Sequence, residues 1–206
     1  MKGEFIMPRL VKESVRGMEL LTPEDLLFTN REIFLTTEVD NDTANNLMKQ
    51  LMILEKLDNT KEITLYINSP GGEVVSGLAV YDYIQLMKAP VRTVCIGTAA
   101  SMGAILFLAG QNREMLAHTR LMIHDPAYGG GDMAGKKPHE LQMYVDKLKQ
   151  SQEIIAGIIA EKTGKTMEEI YEKTREDSYF NAKEAIEYGL ATGIVNCTNN
   201  NRVFLE

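Results

Sequence analysis

Tryptophan is absent from this chain of 206 residues, and it holds only two cysteines and three histidines. Cys95 lies in an apolar run and Cys197 near the C-terminus, with no paired spacing, so no disulfide framework is encoded. Both read as reduced thiols of a cytosolic protein, and no cysteine-based motif surrounds either one. No cluster of metal-ligand residues and no cofactor motif is present. An excess of basic residues is also missing: the net charge is −7 and the pI about 5.1. That composition leaves no footprint for nucleic acid. No apolar run reaches membrane-spanning length, and the start, Met1 to Pro8, lacks a secretory core. Nor is there a phosphate-binding loop. Thr163-Gly164-Lys165-Thr166 echoes the end of one, but the required earlier glycine is Ile159, and no strand precedes it.

What is present is ordinary for a globular chain, 44% hydrophobic and 25% charged residues, long enough for one domain with a substantial core. Helix and strand patterns alternate. Ile33–Thr36 reads as a short strand, and Thr43–Leu57 as a helix with Ala44, Leu47, Met48, Leu51, Met52 and Leu54 on its apolar face. Ile63–Ile67 predicts a strand ended by the turn Asn68–Gly72. A helix from Val74 to about Met87 is stopped by Pro90. Val91–Ile96 predicts a buried strand, Ile105–Ala109 a helix, and Met115 and Leu121–Ile123 two shorter apolar runs. Such alternation argues for an α/β fold with a largely parallel sheet. Beyond Pro126 lies a glycine-rich loop, Tyr128 to Pro138, then a long helix over about His139–Thr163, with Gly164 as its C-cap. Thr166–Glu169 and Asn181–Glu184 have the form of capping boxes. A helix of that length projecting from a compact core needs a partner for its apolar stripe, and a second subunit would supply one.

Three strand ends carry the chemistry. The segment Gly97-Thr98-Ala99-Ala100-Ser101-Met102-Gly103-Ala104 sets one hydroxyl among small residues where a strand hands over to a helix. Small neighbours let a substrate backbone approach, and a helix N-terminus offers free N–H groups to a developing negative charge. Packing alone would also account for such a turn. His124 ends the run Leu121–Ile123, whereas His118 falls in a turn and His139 at a helix start. Pro70-Gly71-Gly72 permits a backbone geometry that leaves an N–H aimed into a cleft. Ligands gather at the carboxyl ends of parallel strands. Together, a hydroxyl at Ser101, an imidazole at His124, and the amides of Gly72 and Met102 are the parts of an acyl-transfer site. The orienting carboxylate stays open. Strand alternation turns Asp125 away from its neighbour His124, and Asp132, Asp146 and Asp177 remain candidates.

Tyr66–Gly72, Ala99–Ala104 and Met122–His124 resemble the ClpP family of self-compartmentalised serine peptidases, and Ala185–Leu190 is similar to its C-terminal signature. The resemblance runs from about Pro8 to Val195. It implies the ClpP/crotonase-like fold of repeated strand–helix units with a projecting handle helix. One peptidase domain would span 1–206, with an N-terminal axial segment over 1–18 and a handle loop and helix over 125–163. Ser101 matches the family nucleophile, His124 the general base, Asp177 the third triad member, and Gly72 and Met102 the oxyanion donors. No cofactor or metal is implied. The family assembles stacked heptameric rings, as a tetradecamer in the cytoplasm. It degrades unfolded polypeptides delivered by a separate AAA+ unfoldase, and Tyr66 and Leu86 fall where members form an apolar pocket for that partner. Any removable N-terminal piece would be short. Two features depart from the family pattern. The loop after His124 is longer and lacks the usual glycine–glutamine pattern, and Arg175-Glu176 reverses an acid–arginine order. Two other readings share the fold: an acyl-CoA hydratase or isomerase of the crotonase type, and a non-catalytic subunit of a mixed ring.

Overall fold

Two apolar strands form the centre of the sheet because their buried residues are aliphatic or small, among them Ile63, Leu65, Ile67, Val91 and Val94. In the computed structural model, which describes residues 9–14, 17–130 and 134–195, these are β4 (Ile63–Ser69) and β5 (Val91–Ala100). The elements before them are a hairpin of β1 (Leu10–Ser14) and β2 (Gly17–Leu21), α1 (Pro23–Thr29), β3 (Glu32–Leu35) and α2 (Asn41–Leu57). Between β4 and β5 runs α3 (Val74–Leu86). After β5 come α4 (Met102–Leu108), β6 (Asn112–Met115), β7 (Arg120–Ile123), α5 (Pro138–Thr163), α6 (Met167–Thr174), β8 (Ser178–Asn181), α7 (Ala182–Tyr188) and β9 (Gly193–Ile194).

The main sheet has the order β3-β4-β5-β6-β9, all parallel. It forks at β5. The first half of that strand pairs with β6 (Arg92↔Asn112 to Cys95↔Met115) and the second half with β7 (Thr98↔Arg120 to Ala100↔Met122). On its far side β7 takes β8 as an antiparallel partner. The fold is therefore the expected α/β class with a mainly parallel sheet.

Helix starts follow their caps. Asp40 accepts from the Thr43 amide and opens α2 at Asn41, two residues before the expected start at Thr43. The capping boxes at Thr166 and Asn181 are both formed. Gly164 ends α5 in the left-handed conformation (φ 72°). Helix α2 buries Leu47, Leu51 and Leu54 against the sheet, each contributing about 1.5–3 kcal/mol. Only the C-terminal part of α5 is covered: Ile155, Ala156 and Ile159 are buried, whereas Leu141, Met143 and Val145 are exposed. The reduced state expected for Cys95 fits its burial in β5 as a free thiol. Cys197 lies outside the described residues.

Candidate active site

The nucleophile candidate begins with an irregularity in β5. The register shifts between Ile67↔Cys95 and Ser69↔Ala99, so β5 spends extra residues opposite Asn68. The Asn68 side chain fills the bulge, its Oδ1 accepting from the Thr98 amide at 2.9 Å. Gly97 fits there because a Cβ would collide with that carboxamide. The bulged strand continues to Ala100, four residues past Ile96, where the apolar pattern ends.

The chain then turns sharply into α4. Ser101 has φ 53° and ψ −123°, a conformation that costs a non-glycine residue about 1–3 kcal/mol. Its own amide donates to the Met122 carbonyl at 2.9 Å, so the turn is pinned to β7 while the hydroxyl stands clear. His124, one residue past β7, meets it: Nε2 lies 2.8 Å from the Ser101 Oγ. The imidazole is 24% exposed.

Asp177 reaches the same site through β8. Pairing of Ile123 with Ser178 sets the residues just outside the two strand ends side by side. The Asp177 Oδ1 faces the His124 Nδ1 at 3.9 Å, longer than a hydrogen bond. Its side chain is 59% exposed, on the loop between α6 and β8.

The other aspartates are engaged elsewhere. Asp125 is turned from the imidazole, as strand alternation anticipates, although β7 has already ended at Ile123. Its amide donates to the Thr174 carbonyl at 2.7 Å, its carboxylate takes the Thr174 hydroxyl, and Gln152 Nε2 donates to it at 2.7 Å. Asp125 thus knots the residue after His124 to α5 and to the end of α6, three residues before Asp177. Asp146 accepts from Gln142 on the surface of α5, and Asp132 lies outside the described residues.

The opposite wall is the Pro70–Glu73 turn. Ser69, fully buried, donates its hydroxyl to the Thr37 carbonyl at 2.6 Å and accepts from the Gly71 amide at 3.2 Å. Val39 then bridges the turn, donating to the Gly71 carbonyl and accepting from the Glu73 amide, each at 2.7 Å. These bonds use the amides on either side of Gly72 and leave its own amide without an acceptor among the described residues. The Met102 amide at the first turn of α4 is likewise uncommitted, while the Met102 side chain is buried against Gly77. Ser69 and Val39 carry no motif in the sequence; their part in shaping the turn emerges only from the tertiary contacts.

Ser101, His124, Gly71, Gly72 and Met102 line one cleft of about 400 Å³, whose floor is apolar: Ile105, Ile123, Ile155 and Ile159. A hydroxyl bonded to an imidazole, two unused amides and an apolar floor suit attack on a carbonyl with the resulting oxyanion held by N–H donors. No group of three or more metal-ligand side chains forms among the described residues. No helix there is long and apolar enough to cross a membrane.

Sequence comparisons identify relatives of the chain. The chain is 38% identical over 190 residues to ATP-dependent Clp protease proteolytic subunit 1 of Corynebacterium glutamicum, covering 91% of this chain and 90% of the relative. Subunit 1 of Corynebacterium diphtheriae is 37% identical over 191 residues, covering 92% and 90%. Subunit 2 of Corynebacterium jeikeium is 39% identical over 188 residues, covering 90% and 88%. The family model described as Clp protease matches residues 15–198. With the match running through every element from β2 to β9, the chain belongs to the Clp protease family.

Proposed function

We propose that the chain is a serine endopeptidase subunit that hydrolyses unfolded polypeptides through Ser101, His124 and Asp177. The observation that carries the reading is the 2.8 Å contact of Ser101 Oγ with His124 Nε2 at a strained turn, inside a cleft walled by two uncommitted amides. His124 takes the Ser101 proton as the oxygen attacks the peptide carbonyl, and the Gly72 and Met102 amides receive the charge that forms on the carbonyl oxygen. The imidazolium then protonates the departing amine. Water, activated by the same imidazole, releases the acyl group. Asp177 steadies the imidazolium from the Nδ1 side. Closing its 3.9 Å separation to hydrogen-bond length needs about 1 Å of loop movement.

The proposal extends to assembly. The exposed apolar residues Leu141, Met143 and Val145 suit a handle over 125–163 that packs against a second copy in stacked heptameric rings. The axial segment assigned to 1–18 of the single domain, like 131–133 of the handle loop, lies partly outside the described residues. The curated relatives are named ATP-dependent, yet Thr163–Thr166 is a helix-to-helix turn, not a nucleotide loop. A separate AAA+ unfoldase of the cytoplasm would supply that dependence.

The test is direct. A fluorophosphonate or β-lactone probe labels Ser101 in the assembled protein, and Ser101→Ala abolishes labelling and lowers peptide turnover at least about 10⁴-fold. Undiminished turnover by that variant sinks the assignment.

A further inference from the structure

One carboxylate faces the cleft without a partner among the described residues. Glu38 lines it, and Glu38 and His124 are the only ionisable side chains among its described lining residues. The Val39–Gly72 bridge fixes where Glu38 sits. Val39 is buried, so alternation turns the side chain of Glu38 outward, and its Cγ would lie 2.9 Å from a Cβ on Gly72. The backbone carbonyl of Glu38 accepts from the Thr43 hydroxyl at 3.0 Å, which ties the residue to the start of α2. Its carboxylate takes no hydrogen bond and no ion pair among the described residues and is exposed. The neighbouring Glu73 differs, because its carboxylate accepts from Ser76 at 2.6 Å.

We infer that Glu38 is a specificity-determining residue, selecting a lysine or arginine side chain within two residues of the bond that is cleaved. The inference rests on the reading of this cleft as a peptidase site. A carbonyl held by the Gly72 amide brings the adjoining substrate residues alongside Glu38, within reach of a flexible cationic side chain. The other described lining residues are apolar or uncharged apart from His124, and Asp177 faces the far side of that imidazole, so Glu38 is the charge on the Gly72 side of the cleft. The apolar floor accepts aliphatic groups without regard to sign. A partly exposed pair of this kind gives a preference of about two- to fivefold, shrinking as salt shortens the screening length to about 3 Å at 1 M.

The experiment uses the assembled protein and internally quenched peptides of one neutral framework. Lysine or glutamine is placed in turn at each of the two positions on either side of the scissile bond, which is located by product mass. At one position kcat/KM for lysine exceeds that for glutamine by about two- to fivefold. The ratio falls to about one in Glu38→Gln and inverts in Glu38→Lys, each variant being read against itself. Equal kcat/KM for lysine and glutamine at all four positions in the unaltered protein overturns the inference, as does a ratio that survives Glu38→Gln. A protein that cleaves none of the peptides and takes no probe at Ser101 refutes the peptidase reading instead, so the two failures are distinct.

Discussion

Replacing Gly71 by alanine tests whether the Pro70–Glu73 turn and the nucleophile form one rigid unit. Gly71 has φ 95°, which costs an alanine about 1–3 kcal/mol. The added Cβ would stand 2.6 Å from the Ala100 carbonyl oxygen, 2.6 Å from the Ser101 Cβ and 2.8 Å from the Met102 nitrogen. None of these is the free end of a flexible side chain, so backbone must yield by up to about 1 Å to restore ordinary contact, and overpacking adds about 1–3 kcal/mol. The combined loss of stability is about 2–6 kcal/mol. The displaced atoms are the Ser101 side chain and the Met102 amide, and misplacement of reacting groups by about 1 Å costs about 10²-fold in rate. Gly71→Ala is therefore expected to slow both fluorophosphonate labelling of Ser101 and peptide hydrolysis about 10²-fold. Thermal unfolding shows whether the variant is folded at the assay temperature. Gly157→Ala, where an added Cβ meets nothing within 4 Å, is the matched control and labels at the normal rate. A folded Gly71→Ala protein that labels as fast as the control would refute the coupling.

Two further predictions concern stability. Tyr81 is pushed up to about 12 by burial, with Glu161 and Asp82 adding to the shift. Below the ordinary value of 10.0 both folded and unfolded chains keep the phenol proton. Above it the unfolded chain releases that proton first, so stability falls as pH rises towards 12. Difference titration of tyrosinate absorbance against Tyr81→Phe should lose the last step, and loss of a step near 10 would contradict the assignment. Arg31, with φ 64°, donates to four backbone carbonyls, those of Leu54, Asp58, Lys61 and Glu62, at 2.8–3.1 Å. Lysine cannot reproduce that fork, so Arg31→Lys should cost about 2 kcal/mol in denaturant unfolding; a loss below about 0.5 kcal/mol would be evidence against it.

Much of the fold and of the site is legible in the sequence. Ser101, His124 and the double glycine stand at ends of strands that hydrophobic pattern alone predicts, because burial on both faces writes itself as continuous apolar runs. Caps made the helix limits legible at Thr166, Asn181 and Gly164. Strand β8 was not legible: Ser178–Asn181 is four residues with no apolar alternation, and it exists because β7 has an open edge to pair. That pairing is what carries Asp177 to the imidazole, so spacing alone could not choose among the aspartates. The extension of β5 through Gly97 and Thr98 was hidden as well, since those residues read as a turn until Asn68 arrives from another strand to satisfy them. The standing of Glu38 depends likewise on a bridge between segments more than thirty residues apart.

The fork in the sheet has a mechanical consequence. Ser101, His124 and Asp177 all hang from one arm, since β5 pairs with β7 and β7 with β8, and the Ser101 amide is itself bonded to Met122. Gly72 stands on the opposite side of β5, following β4 and latched to Val39. Flexing about the bulge at Asn68 would carry the three side chains together as one lever and leave their mutual distances intact. The Gly72 amide would change its aim, while the Met102 amide, next to Ser101, would travel with the lever. The proposed proton relay and one proposed oxyanion donor, Met102, thus ride on one arm, and strain at the bulge would re-aim the other donor, Gly72, without unmaking the relay.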